Sequence, residues 1–159
     1  MTASRRTLGT LLRHVIELLD GAVEQNYVDV GLDYRPRYTP VLGSLLAIGP
    51  ASIKALASHA GLTHSAASQT VAQMKKSGLV NVQRGEDQRQ QVVSLSPKAV
   101  AMVPAVQHVW QVTNEAARDL ENELAYPLAQ LLDETISALE RQSFSERLGS
   151  AAGRLNVNV

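Results

Sequence analysis

Arg84-Gly85-Glu86-Asp87-Gln88-Arg89-Gln90-Gln91-Val92-Val93-Ser94-Leu95-Ser96 is the stretch whose reading decides the fold. Together with Leu79-Val80-Asn81-Val82-Gln83 before it, it reads as two short strands of alternating apolar residues around a charged loop. Leu56-Ala57-Ser58-His59-Ala60-Gly61-Leu62-Thr63 lies upstream and has the spacing of two helices joined by a tight turn. Alanine at 57 lets the second helix approach closely, and glycine at 61 supplies the left-handed backbone of the turn.

A helix pair followed by a charged hairpin is the layout of a winged helix, and the flanking sequence extends it in both directions. Leu8, Leu11, Leu12, Val15, Ile16, Leu19, Ala22 and Val23 recur at helical spacing and predict a first helix ending near Gly31. Thr39-Pro40 reads as an N-cap followed by proline at the first helical position, opening a helix that stops at Gly49-Pro50. Ser52 caps the next helix, and Thr63 caps a fourth whose buried side is Ala67, Val71 and Met74, with Gly78 at its end. Ser96-Pro97 opens a long helix to about Leu124, Tyr126-Pro127 marks a break, and a last helix runs from Leu128 to about Leu148. The expected fold is mainly α with a small antiparallel β-wing, a winged helix-turn-helix flanked by long N- and C-terminal dimerisation helices. The expected boundaries are 1–34 for the N-terminal dimerisation helix, 38–98 for the winged helix-turn-helix, 99–148 for the C-terminal dimerisation helices and 149–159 for a flexible tail.

Composition narrows the function. The absence of cysteine removes disulfides and thiolate metal sites, and is compatible with a reducing cytoplasm, the expected location. Ser4-Arg5-Arg6-Thr7-Leu8 resembles a twin-arginine export signal only superficially, because Arg13, His14, Glu17 and Asp20 leave no uninterrupted apolar core after the arginine pair. No run of 18 apolar residues predicts a membrane span. The net charge is zero but unevenly spread. Residues 1–49 balance, residues 50–98 carry +4, from six basic and two acidic side chains, and residues 99–159 carry −4. The positive segment is the one with the helix-turn-helix pattern, which is where phosphate attraction needs it.

The exposed face of the fourth helix is expected to be Thr63, His64, Ser65, Ser68, Gln69, Ala72, Gln73 and Lys76. Hydroxyls at a helix N-terminus suit phosphates, and a glutamine can bond adenine N6 and N7. An ordinary solvated face carries the same residue types; its place after a helix-turn-helix is what points to DNA. In the hairpin loop, Arg89 suits the minor groove, Asp87 can hold its guanidinium, and Arg84 adds charge at the strand end. No Gly-rich phosphate loop or nucleophile elbow is present, and His59 and His64, five apart across a turn, have no cysteine beside them. No enzyme, metal or cofactor is expected.

The chain resembles the MarR family of winged-helix transcription regulators. The matching residues are Leu62-Thr63, Ser68-Gln69, Gly78-Leu79-Val80, Asp87-Gln88-Arg89 and Leu95-Ser96, in the family's order and spacing across residues 40–100. Gln69 stands where the family usually has arginine, Met74 replaces a leucine, and Pro97-Lys98-Ala99 replaces a closing glycine. The resemblance implies a homodimeric regulator, of repressor type, that binds palindromic double-stranded DNA with the fourth helix in the major groove and the wing in the minor groove. It also implies a small aromatic or phenolic effector near the dimer helices. Candidate groups are Arg13, His14, Arg37, Tyr38 and Trp110, which are polar or aromatic beside expected apolar faces; one Phe and one Trp give no evident aromatic box.

Helix length supports the dimer independently. A first helix of about 24 residues spans roughly 36 Å and the fifth about 40 Å, more than a winged-helix core can cover. An alternative remains open: Gln69 and the sparse charge of the fourth helix also fit a winged helix that no longer binds DNA and acts as a protein-interaction module or anti-repressor.

Overall fold

A computed structural model describes residues 6–84 and 91–156. The helices are α1 (Leu8–Asp29), α2 (Thr39–Ile48), α3 (Ile53–Ala60), α4 (His64–Lys76), α5 (Pro97–Asn122), α6 (Leu128–Arg141) and α7 (Phe144–Asn156). A 3-10 turn, Pro36–Tyr38, precedes α2, and three strands, β1 (Ala51–Ser52), β2 (Val80–Arg84) and β3 (Gln91–Leu95), form one antiparallel sheet in the order β1-β3-β2. The mainly helical winged-helix architecture expected from the sequence is therefore observed. The chain divides into two compact units, one ending at Gln111 and the other beginning at Val112. Among the described residues no helix is long and apolar enough to cross a membrane.

In the first unit, α2, α3 and α4 and the sheet enclose a core containing Val41, Leu42, Leu45, Leu56, Val71, Met74, Leu79, Val80 and Val93. Leu56, Met74 and Val93 are fully buried, and burying a side chain of this size contributes about 1.5–3 kcal/mol. The turn between α3 and α4 closes by two backbone bonds, Leu62 N–H to Ala57 O at 2.9 Å and Gly61 N–H to Ser58 O at 3.4 Å. That closure needs Gly61 at φ +65°. Gly78, at φ +71°, ends α4 in the same way, with Leu79 N–H bonded to Met74 O at 2.8 Å. The buried Ser44 hydroxyl donates to Pro40 O at 2.8 Å, which leaves it to accept from His59 Nδ1 at 2.9 Å and joins α2 to α3.

Ser96 carries the junction after β3. Its hydroxyl donates to Gly78 O at 2.7 Å and accepts from Ala99 N–H at 3.1 Å, so one group caps α5 and ties it to the end of α4. Lys98 Nζ adds a bond to Ser77 O at 2.9 Å. β2 and β3 pair from Val80↔Leu95 to Arg84↔Gln91, the register expected of a hairpin. β1 pairs through Ala51↔Val93 and Ser52↔Val92.

Three local expectations differ from the structure. Thr39 is the first helical residue of α2 rather than its N-cap, because the 3-10 turn runs directly into the helix with Tyr38 already near helical geometry. β1 lacks a strand signature because it is only two residues long. The last helix expected over 128–148 is broken at Gln142-Ser143, and residues 149–156 lie in α7 rather than in an irregular tail. The break is a capping box: Ser143 N–H donates to Glu146 Oε2 at 2.8 Å, and Glu146 N–H donates to Ser143 Oγ at 3.3 Å. The Ser143 hydroxyl, which also donates to Glu146 Oε2 at 2.9 Å, and the Ser143 N–H together hold the Glu146 carboxyl below its ordinary range. Arg147 closes the preceding helix through Nη2 to Ala138 O at 2.9 Å and Nε to Gln142 O at 3.1 Å.

A Cβ added at Gly61 meets no atom within 4 Å, so the cost of Gly61→Ala is confined to the left-handed backbone. We expect a loss of about 1–2 kcal/mol in urea unfolding, with Gly61→Asn losing less. Equal stability of Gly61→Ala and the parent chain would contradict the conformation assigned to this turn.

Candidate nucleic-acid interface

α4 has two faces because Ala67, Thr70, Val71 and Met74 are spaced three and four apart and all are buried. The other face must then point to solvent. Thr63, His64, Ser65, Gln69, Ala72 and Lys76 are exposed, and Ser68 and Gln73 are half-buried beside them. Each was expected on this face, and the fold groups them on one side of one helix. Thr63 is the N-cap: its hydroxyl oxygen accepts from Ala66 N–H at 3.1 Å, leaving its proton free to meet a phosphate. His64 and Ser65 follow in the first turn, where unsatisfied N–H groups and the helix dipole favour anions. Lys75 and Lys76 place positive charge at the other end.

Arg84 is exposed at the end of β2. Asp87 and Arg89, the expected wing contacts, lie outside the described residues.

The five residues expected to surround an effector fall in separate settings. Arg13 and His14 join Arg6, Thr10 and Glu17 along one open surface depression on the N-terminal side, with His14 Nδ1 4.0 Å from Glu17 Oε2. Arg37 is exposed and donates from Nη1 to Gln73 Oε1 of α4 at 3.3 Å. Tyr38 is buried, its hydroxyl 3.5 Å from Ser77 Oγ. Trp110 is half-buried and donates from Nε1 to the Tyr27 hydroxyl at 3.0 Å.

No aromatic box is evident in the sequence, but folding makes an aromatic cluster from tyrosines. The Tyr27 and Tyr34 rings lie 4.7 Å apart and the Tyr34 and Tyr38 rings 5.6 Å apart, the second pair edge-on. Burial pushes the Tyr34 phenol well above its usual pKa and raises that of Tyr27, so both remain protonated donors. Tyr34 donates to Thr39 Oγ1 at 3.4 Å. Beneath Tyr34, a cavity of about 10 Å³ is lined by Leu42, Met74, Leu79, Ala99, Met102 and Val106. The only signal for this cluster was the placing of three of the four tyrosines within residues 27–38. Among the described residues no group of three His, Asp or Glu side chains could hold a metal ion.

Residues 30–91 match the sequence model of the MarR family. Over that segment the chain is similar to the MarR family. Beyond it the likeness is one of fold. A probable transcriptional regulator from Pseudomonas aeruginosa is 22% identical with a TM-score of 0.62, covering 84% of this chain and 96% of its own. PcaV, a transcriptional regulator from Streptomyces coelicolor solved in complex with its natural ligand, is 17% identical with a TM-score of 0.64, covering 90% and 99%. BpsR of Bordetella bronchiseptica, whose DNA binding is regulated by 6-hydroxynicotinic acid, is 18% identical with a TM-score of 0.59, covering 86% and 98%. No curated protein matches this chain.

Trp110 is the single tryptophan and therefore reports on the aromatic cluster. Tyr27→Phe removes the acceptor of its indole N–H; we expect a loss of about 1 kcal/mol and a shifted emission spectrum. Unchanged stability together with unchanged emission would show that this bond does not form in solution.

Proposed function

We propose that this chain is a non-enzymatic DNA-binding transcriptional regulator of the MarR family, of repressor type, that acts in the cytoplasm as a homodimer on palindromic operator DNA. The observation that carries the reading is the single polar face of α4, which begins with a capped N-terminus bearing Thr63, His64 and Ser65 and ends with Lys75 and Lys76. Ser68, Gln69 and Gln73 lie between them, at the height where a recognition helix meets base edges. Arg84, Asp87 and Arg89 would supply the wing, with Arg89 in the minor groove.

The homodimer is supported by the apolar residues that each unit leaves uncovered. On α1, Leu8, Leu11, Leu12, Val15, Ile16, Leu18 and Leu19 are all exposed. In the second unit α6 buries none of its residues, although Leu131, Leu132, Ile136 and Leu139 recur at helical spacing. A second copy covering these faces would form a two-fold dimer, and two wings would address half-sites about one helical turn apart. On this reading residues 1–34 and 99–148 serve dimerisation and 38–98 serve DNA binding, with α7 belonging to the dimerisation part.

A small aromatic or phenolic effector is the proposed release signal. The ligand named for BpsR is an aromatic hydroxy acid, and PcaV was solved with a natural ligand. Tyr38 and Trp110 belong to the aromatic cluster beside the small cavity, whereas Arg13 and His14 lie on the open face of α1. The cavity admits about one water, against several hundred Å³ for a drug-sized ligand, so an effector there must first part Tyr34 from Met102 and Val106.

Sedimentation at micromolar concentration is expected to give two chains per particle, and Ile136→Glu should shift it towards one. A monomeric parent protein would overturn the dimer. In gel-shift titrations the protein should bind a palindromic fragment from its own upstream region, and Arg89→Ala should weaken binding by about 1–3 kcal/mol. Unchanged affinity in that variant would remove the wing's role; failure of the parent protein to bind any fragment at low salt, with a protein partner co-purifying, would favour an interaction module.

A further inference from the structure

Arg37 precedes α2, outside the helix-turn-helix, yet its guanidinium reaches the polar face of α4. Its Nη1 lies 3.3 Å from Gln73 Oε1. A guanidinium only donates, so the contact orients the Gln73 amide: the carbonyl oxygen is turned to Arg37 and Nε2 is free to face elsewhere. Arg37 is exposed and, among the described residues, makes no ion pair with a carboxylate. It therefore adds an arginine near the C-terminal end of a face on which α4 itself carries only glutamines, hydroxyls and a histidine before its terminal lysines.

We propose that Arg37 and Gln73 form a composite reader of guanine in the major groove, with Arg37 supplying the arginine that the recognition helix lacks. The inference rests on the DNA-binding reading above and deepens it by naming a base. A lone glutamine reads adenine by accepting from N6–H while donating to N7, and so needs its oxygen and its nitrogen together. Here the oxygen is engaged by Arg37. What the pair presents outward is a row of donors, Gln73 Nε2 and the remaining guanidinium N–H groups. Guanine offers two adjacent acceptors, O6 and N7, and adenine offers N7 next to the N6–H2 donor, which opposes a donor row. Gln73 in turn limits the freedom of the arginine, so less order is lost on contact with the base.

The test uses the full chain and the DNA fragments it selects from a randomised pool. Affinities for the selected site, and for versions with each base pair replaced in turn, are measured for the parent, Arg37→Ala, Arg37→Lys and Gln73→Ala across a salt series. The expected result is one G·C pair per half-site at which the parent discriminates against A·T by about 10- to 100-fold. Arg37→Ala should abolish that preference while leaving the other positions as they were. Arg37→Lys should keep the salt dependence but lose most of the discrimination, because an ammonium lacks the planar fork. Thermal unfolding near that of the parent is expected for all three, since Arg37 is exposed and Gln73 lies outside the core.

Two results overturn the proposal while leaving DNA binding intact. One is an Arg37→Ala base profile identical to the parent's. The other is a uniform loss across all sites with a salt slope shallower by about 0.9, which would make Arg37 a phosphate contact. A parent protein that selects no DNA at low salt refutes the DNA-binding reading itself, and the guanine reader with it.

Discussion

The burial of one stripe of α4 is the constraint on which the rest of this structure depends. Ala67, Thr70, Val71 and Met74 occupy successive turns of one side, and enclosing them fixes the rotation of the helix about its axis. Rotation by half a turn would expose Met74 and Val71 and bury Gln69 and Gln73, leaving amide groups without partners at several kcal/mol each. Among the described residues no buried side-chain nitrogen or oxygen lacks a hydrogen-bond partner, so the observed rotation carries no such cost. The polar face therefore follows from the apolar one.

The two ends of α4 hold it at a definite height. At its start, the Gly61 turn and the Thr63 cap bring α3 against it; at its end, Gly78 turns the chain into β2. Ser96 then links that turn to the start of α5 through a single hydroxyl. A displacement of α5 is thereby coupled to the end of α4 by a short, nearly buried bond. The aromatic cluster provides a second connection, from Trp110 of α5 through Tyr27 to the tyrosines that pack beside α2. On the proposed reading, an effector that parted these contacts would act on elements joined directly to α4, so no long pathway is required.

Much of this was legible from the chain because the signals are local. The capped start at Thr63, the glycines at 61 and 78, the alternation in Val80–Arg84 and Gln91–Leu95 and the Ser96-Pro97 helix start all involve neighbours within a few residues. The Ser143-x-x-Glu146 box was equally readable, yet the apolar repeat of α6 continues through Phe144 and Leu148 and masks it. β1 was not readable, since two residues carry no periodicity and are a strand only because Val92 and Val93 lie opposite. The tyrosine cluster and the Arg37–Gln73 bond were hidden for the same reason. Tyr27 and Trp110 are 83 residues apart, and Arg37 and Gln73 are 36 apart.

Sequence alone determined the order of helices and strands, the winged helix-turn-helix and the identity of the face of α4 turned away from the core. Those properties depend on hydrophobic period, caps and turn glycines, which act between residues near in the chain. Only the tertiary structure decided which side chains from other elements join that face. It brought Arg37, one of the expected effector groups, to the side of Gln73, and it assembled an aromatic core from tyrosines that looked unrelated. Side-chain meetings of this kind depend on how elements pack, and no local pattern encodes the distance between two residues on different elements.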